Sequence, residues 1–155
     1  MALDSVLFAE LTTLPEVADA LEARSSHDPR TAAAWRAFHL ADPKAESPVE
    51  TKARLGLTDA GLAVRSQVSV NVGDRVRRVD LLVERCVFLE TEGATYHGSR
   101  EAHARDVRRF NELTMVAEGR PMLRATYDDV FHHWPTTLAM VRRSVAMWRA
   151  GNSPR

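Results

Sequence analysis

The sequence is poor in cysteine, the residue that forms disulfides and binds structural zinc. One cysteine, Cys86, occurs among 155 residues, so the chain supplies neither a disulfide framework nor a cysteine-based zinc site. An excess of charge is also missing, because 21 lysine and arginine residues balance 21 aspartate and glutamate residues. Proteins that bind nucleic acid over a whole surface are basic, so any such binding here must come from local patches.

Long apolar runs are absent as well. No stretch approaches the roughly 20 apolar residues that span a bilayer, and the N-terminus lacks the pattern of a secretory signal. We therefore expect a cytoplasmic protein without membrane contact. What is present is ordinary, since 45% hydrophobic and 27% charged residues are typical of one globular domain with a buried core.

Prolines divide the chain into two parts. Pro15 and Pro29 each stand where a first helical turn is expected, because proline suits that position. Pro43 ends the second helix, since the residue before a proline disfavours helical geometry. We interpret residues 1–45 as a helical extension and residues 46–150 as the main domain.

The main domain alternates between helix and strand patterns. Ser47 as N-cap, Pro48 after it and Glu50 three residues after the cap predict a helix start. Period-two alternation predicts a strand at 67–72, and two more strands follow at 76–83 and 86–92. A helix is expected at 99–116, a strand at 122–126, and helices at 128–132 and 136–148. The order predicts an α/β fold whose mixed sheet, an antiparallel meander plus a later strand, is flanked by helices.

Acidic residues interrupt the predicted strands. Asp80 lies inside an apolar run, where a carboxylate is costly to bury unless it is paired or binds a metal. Glu90 and Glu92 lie on one face of the next strand, close to Asp80 if the two strands form a hairpin. Such oxygen ligands suit Mg²⁺ or Mn²⁺. The alternative is that Asp80 pairs with Arg77 or Arg78 and that both glutamates are solvated.

Two further residues allow a structural or a chemical role. Glu50 is a capping residue by position, and it can also reach a catalytic site. His97 follows the Glu90 and Glu92 pair by a few residues, so it is a candidate general acid or a partner of metal-bound water. A histidine after a strand is otherwise an ordinary surface or core residue.

Arginines gather in the second half of the domain. Arg109 and Arg124 are among several that lie on or after the long helix, where they can contact phosphates. The alternative is a solvent face with interleaved ion pairs, because Asp106 is spaced to pair with Arg109 on one helix.

The motifs of the main domain follow a particular order. They are Ser47-Pro48-x-Glu50-Thr51, Gln67, Val79-Asp80-Leu81, Glu90-x-Glu92-Gly93, Tyr96-His97, Arg105-Asp106-x-x-Arg109 and Leu123-Arg124. In this order, residues 46–145 resemble the small bacterial endonuclease-like domains that are related to very-short-patch repair endonucleases. These domains belong to the PD-(D/E)XK nuclease superfamily.

The resemblance implies a restriction-endonuclease-like core and Mg²⁺- or Mn²⁺-dependent hydrolysis of DNA, in repair or phage defence. Asp80 and Glu90 would hold the metal, and Glu50 would reach in from the first core helix. Glu92 replaces the usual lysine of the superfamily, and His97 could take over the proton transfer of that lysine. These departures leave open a catalytically inactive DNA-binding or toxin–antitoxin-type module, or a purely structural domain.

The resemblance also assigns contacts to DNA. Gln67, Arg109 and Arg124 are the expected nucleic-acid residues. Because the net charge is zero, we expect a modest salt dependence of binding, with fewer than about six ions released. Cleavage of both strands by one site per chain would suggest a homodimer.

Overall fold

The computed structural model describes residues 1–24, 28–93 and 100–152, without the side chains of residues 100, 102 and 103. The elements are α1 (Ala2–Phe8), α2 (Leu14–Glu22), α3 (Pro29–His39), α4 (Pro48–Asp59), β1 (Val64–Val72), β2 (Arg75–Val83), β3 (Val87–Glu92), α5 (Arg100–Val116), β4 (Met122–Thr126), α6 (Tyr127–Phe131) and α7 (Trp134–Asn152). Within these ranges, no helix combines the length and the apolar character that crossing a bilayer requires.

The four strands form one mixed sheet in the order β1-β2-β3-β4. The first three strands are antiparallel neighbours, and β4 runs parallel to β3, with Arg124 opposite Glu90. A parallel pair needs a crossover connection, and α5 lies in that connection. The predicted α/β fold, an antiparallel meander plus a later strand flanked by helices, is confirmed.

Capping residues explain why most helices start where the sequence predicts. The Ser47 hydroxyl accepts a hydrogen bond from the Glu50 backbone N–H, and Thr13 forms a complete capping box with Glu16. Helix α1 lies within the stretch that the sequence predicts to be helical, but its bounds were not predicted, because Met1 provides no side-chain cap and no proline marks its start. Strand β1 begins at Val64 rather than at residue 67, because its first residues, Val64 to Ser66, also pair with β2.

The sheet is covered on both faces. One buried cluster joins the sheet to α4, α6 and α7, and includes Leu57, Leu81 and Val141. The other packs Phe88 of β3 against Leu113 of α5. Burial of apolar side chains on both faces is worth about 25 cal/mol per Å² and stabilises the layered arrangement.

A kink interrupts the pairing of β1 and β2. Gln67 has a φ of 51°, in the left-handed region that a residue with a side chain rarely adopts. The ladder is formed on both sides of Gln67 and Asp80 but not between them. Val64 packs in the α4 cluster and Val68 in the α5 cluster, so even-numbered side chains change face at this point. Gln67 and Asp80 therefore lie opposite each other at the point where the β1–β2 pairing is interrupted.

Close packing of α4 requires a glycine. A Cβ added to Gly56 would lie 2.5 Å from a ring carbon of Trp134. We expect Gly56→Ala to destabilise the chain by about 1–3 kcal/mol, because the ring must move although alanine favours the helix. Gly151→Ala is the matched control, since its Cβ would meet no atom within 4 Å. Urea denaturation measures both variants, and equal stabilities would contradict the close contact.

The N-terminal helix docks on α4 through a buried carboxylate. Asp4 is only 3% exposed and accepts hydrogen bonds from Thr51 Oγ1 at 2.9 Å, Arg54 Nη2 at 2.9 Å and the Asp42 backbone N–H at 3.2 Å. These bonds tie α1 and the segment after α3 to the main domain. The domain boundary between residues 45 and 46 stays a prediction.

Candidate functional site

Two carboxylates meet where β2 and β3 separate. Leu81 pairs with Leu89, so the next position along the strands brings Asp80 beside Glu90. The Asp80 backbone N–H donates to Glu90 Oε1 at 3.4 Å, and the Thr91 N–H donates to Asp80 Oδ2 at 2.7 Å. Side-chain hydrogen bonds therefore take the place of the regular ladder beyond the Leu81–Leu89 pair.

A third carboxylate comes from the first turn of α4. Glu50 is 6% exposed and accepts hydrogen bonds from the Glu46 N–H at 3.1 Å and from Gln67 Nε2 at 2.8 Å. Its own backbone N–H is bound by Ser47, and the charge of Asp80 acts on its side chain. Glu50 thus stabilises the helix start and also lies near Asp80. Its role in catalysis stays a prediction.

Burial makes the charged forms of these acids unfavourable. It is the main cause that raises the pKa of Glu50, Asp80 and Glu90 above the ordinary carboxyl values. The negative charge of Asp80 raises the pKa of Glu50 and Glu90 further. Hydrogen bonds from Thr91 act in the opposite direction on Asp80. The group costs stability at neutral pH, as a site kept for binding would.

Arg109 supplies a cation to this group. Its Nη1 lies 2.5 Å from Glu90 Oε2, and its Nη2 donates to Glu90 Oε1 at 3.2 Å and to the Arg78 carbonyl oxygen at 2.9 Å. Glu90 is 3% exposed, so the expectation of a solvated glutamate is wrong. The predicted pair of Arg109 with Asp106 is replaced by two other pairs. Arg109 donates to Glu90, and Arg124 donates to Asp106.

Glu92 forms an ion pair with a second arginine, Arg124, rather than with the residues around Asp80 and Glu90. Arg124 Nη1 lies 3.1 Å from Glu92 Oε1, and its Nη2 lies 2.5 Å from Asp106 Oδ2. The same guanidinium lies over the ring of Phe110, 4.6 Å from its centroid. Among the described residues, no hydrogen bond joins Glu92 to the other three acids, so it borders the site without completing it.

The expected pairing of Asp80 with a neighbouring arginine is wrong. Arg77 lies 2.7 Å from Glu112 on α5, and Arg78 lies 2.5 Å from Glu46. Asp80 instead accepts hydrogen bonds from the backbone N–H and the hydroxyl of Thr91. Both neighbouring arginines are thus engaged elsewhere, and Asp80 has no direct ion pair in the described part of the chain.

The sequence analysis missed two residues of the site, and a third candidate lies outside the described residues. Thr91 was not predicted, although it stands between Glu90 and Glu92 in β3, which is the signal that could have found it. Glu46 adds negative charge near Asp80 and was also missed. His97 falls outside the described residues, so its role as a general acid stays a prediction.

The donor set fits a hydrated divalent cation better than a fully protein-bound one. Within the described ranges, no three acidic, histidine or cysteine side chains are grouped to hold a metal ion. Mg²⁺ usually keeps several waters and uses one or two carboxylates, and Asp80 and Glu90 are two such ligands on neighbouring strands. Arg109 competes for Glu90, so a metal would bind as that ion pair opens.

The raised pKa values predict how stability depends on pH. The folded chain keeps protons that the unfolded chain releases, so stability from these acids falls as pH rises through the carboxyl range. Asp80→Asn removes one charge and keeps an oxygen for Thr91. We expect its Tm to exceed that of the parent by about 2–4 °C at neutral pH, and the gain to vanish near about pH 4.

Differential scanning fluorimetry across this pH range measures the effect. Asp74→Asn is the control, because Asp74 lies exposed in the β1–β2 turn and should leave Tm unchanged. A gain for Asp80→Asn that does not vary with pH would show that charge at this site is not its cause.

Comparisons with known proteins found no similar family, sequence or structure. No protein-family model matches the chain, and no curated protein or solved structure is significantly similar to it. The functional argument therefore depends on the buried acids, their arginine partners and the order of the strands.

Proposed function

We propose that this chain is a metal-dependent DNA endonuclease in which Asp80 and Glu90 hold Mg²⁺ or Mn²⁺. The observation that carries the proposal is the juxtaposition of Asp80 and Glu90 on neighbouring strands. Glu90 is buried and Asp80 is half-buried, and the buried Glu50 of α4 lies near enough for the charge of Asp80 to act on it. The mixed sheet flanked by helices also agrees with the core implied by the resemblance to the PD-(D/E)XK superfamily.

The chain's own residues would divide the work of hydrolysis. Phosphodiester hydrolysis is so slow in water that an enzyme must lower the barrier by roughly 20 kcal/mol. A divalent ion supplies Lewis acidity toward the phosphate and lowers the pKa of water. Glu50 is suited to accept the proton of the attacking water, because burial and Asp80 raise its pKa.

Bond changes at phosphorus follow from these roles. The water oxygen forms a bond to phosphorus while its proton passes to Glu50. The bond from phosphorus to the leaving sugar oxygen breaks, and that oxygen takes a proton from solvent. Gln67 holds the Glu50 carboxylate in place through its 2.8 Å hydrogen bond, at the cost of a strained backbone. Its expected contact with DNA stays a prediction.

Supercoiled plasmid tests the proposal directly. We expect the protein to convert plasmid to nicked or linear DNA with Mg²⁺ or Mn²⁺, and to leave it intact with EDTA. Nicked circles as the first product indicate that one strand is cut, and linear DNA as the first product indicates that both strands are cut in one binding event, as expected of a homodimer. Absence of cleavage with either metal, at protein concentrations that saturate the DNA, would contradict the nuclease.

A second function is favoured by the ion pairs of the site. Arg109 neutralises Glu90 and Arg124 neutralises Glu92, as in a catalytically inactive DNA-binding or toxin–antitoxin-type module. Such a module would bind the plasmid without cutting it, whatever the metal. A purely structural domain would do neither.

A further inference from the structure

An open groove lies between β2 and α5, beside the carboxylate site. It has a volume of about 350 Å³, and we call it the arginine groove because five arginines line it. They are Arg75, Arg77, Arg105, Arg108 and Arg109. Two acids also line the groove, so its arginines are in excess by three charges.

The local geometry of both elements gathers these side chains. Arg75 and Arg77 are two residues apart in β2, so they lie on one face of the strand. Arg105, Arg108 and Arg109 are spaced by three and four residues in α5, so they lie on one face of the helix. The groove is thus a product of strand and helix periodicity together.

The acids of the groove leave part of its charge uncompensated. Glu112 pairs with Arg77 at 2.7 Å, and Asp106 is bound by Arg124, which lies outside the groove. Three exposed arginines have no carboxylate partner in the described part of the chain, namely Arg75, Arg105 and Arg108. Like charges in one groove repel each other, and an anionic ligand would remove that repulsion.

The chemistry of the lining indicates the ligand. Guanidinium groups bind phosphate oxygens through paired N–H donors, and the described lining residues include no aromatic ring on which a base could stack. The groove is therefore suited to a phosphate backbone rather than to bases. Arg109 lines the groove and also contacts Glu90, so a backbone in the groove would pass beside the carboxylates.

We propose that the arginine groove binds the phosphate backbone of a DNA duplex, and that Arg109 exchanges Glu90 for a phosphate as DNA binds. The proposal rests on the proposed function for the choice of DNA as the ligand. It goes beyond it by assigning the binding surface to Arg75, Arg105 and Arg108. It also makes the opening of the Arg109–Glu90 ion pair a consequence of substrate binding.

Fluorescence anisotropy with a labelled duplex in EDTA tests the groove. The triple variant Arg75→Gln, Arg105→Gln, Arg108→Gln should bind on the order of 100-fold more weakly at low salt, with a salt slope smaller by about 2.7. The control triple Arg36→Gln, Lys52→Gln, Arg143→Gln makes the same charge change at exposed positions elsewhere. Equal losses in both triples, or no loss in the first, would overturn the proposal.

The exchange of Arg109 has its own test. Glu90→Gln releases Arg109, so DNA should bind about fivefold more tightly, with a salt slope larger by about 0.9. The gain should disappear when Glu90→Gln is combined with Arg109→Gln. A gain that persists without Arg109 would reflect general charge and would overturn the exchange. Binding of tripolyphosphate without any binding of duplex would overturn the choice of DNA.

These outcomes are independent of cleavage, because EDTA removes the metal. If the protein binds DNA through the groove but never cuts it, the groove inference is supported and the proposed nuclease function is contradicted. If the protein cuts DNA but its groove variant binds DNA normally, the nuclease function is supported and the groove inference is contradicted.

Discussion

Asp80→Asn and Glu90→Gln should each reduce metal-dependent plasmid cleavage by about 1,000-fold, which corresponds to roughly 4 kcal/mol of lost barrier reduction. Each substitution replaces a proposed metal-binding carboxylate by an amide of nearly the same shape. The two residues lie on neighbouring strands and act as a unit, so the double variant should be little worse than either single one. Rates of loss of supercoiled DNA under single-turnover conditions measure the effect.

Glu118→Gln is the matched control for these variants. Glu118 is exposed and pairs only with Arg120 in the described part of the chain, so cleavage should stay at the parent level. Because Glu90→Gln is expected to bind DNA more tightly, its loss of cleavage cannot be explained by weaker binding. Cleavage that persists in both single variants would place the activity elsewhere in the chain or in a contaminant.

Asp4→Ala should destabilise the fold by about 3–5 kcal/mol, the range measured when one partner of a buried ion pair is removed. The substitution leaves Arg54, whose side chain is only 12% exposed, without its closest carboxylate. It also removes the acceptor for the Thr51 hydroxyl and for the Asp42 N–H. Urea denaturation at constant pH measures the loss.

The control for Asp4 is another aspartate of the helical extension. Asp19 is exposed on α2, so Asp19→Ala should change stability by less than about 0.5 kcal/mol. A loss below about 1 kcal/mol for Asp4→Ala would show that α1 docks without the energetic help of the ion pair.

Local signals predicted much of the fold because they depend on neighbours in the sequence. The Ser47 cap and its proline marked α4, and the short strand predicted at 122–126 has its observed bounds. The left-handed Gln67 was not predictable, since glutamine carries no turn signal and its conformation is held by the Glu50 hydrogen bond. The bounds and the docking of helix α1 were not predicted either, because the docking depends on the contacts of Asp4 with α4 rather than on a cap.

The candidate site was predicted from its residue types and from the expected hairpin, but the ion pairs of the site were not predicted. Acidic residues within apolar strand patterns drew attention to Asp80 and Glu90, and the strand register brings them together. The partner of Arg109 was wrong, because helix spacing favours Asp106 while the fold offers a buried glutamate. A buried charge gains more from an ion pair than an exposed one does, so Glu90 takes the arginine.

Calorimetric titration with Mn²⁺ tests most directly whether the buried acids form a cation site in competition with Arg109. The account predicts one ion bound per chain, tighter binding in Arg109→Gln, and no binding in Asp80→Asn. It would be contradicted if neither the parent nor Arg109→Gln bound Mn²⁺, or if Asp80→Asn bound it as tightly as the parent.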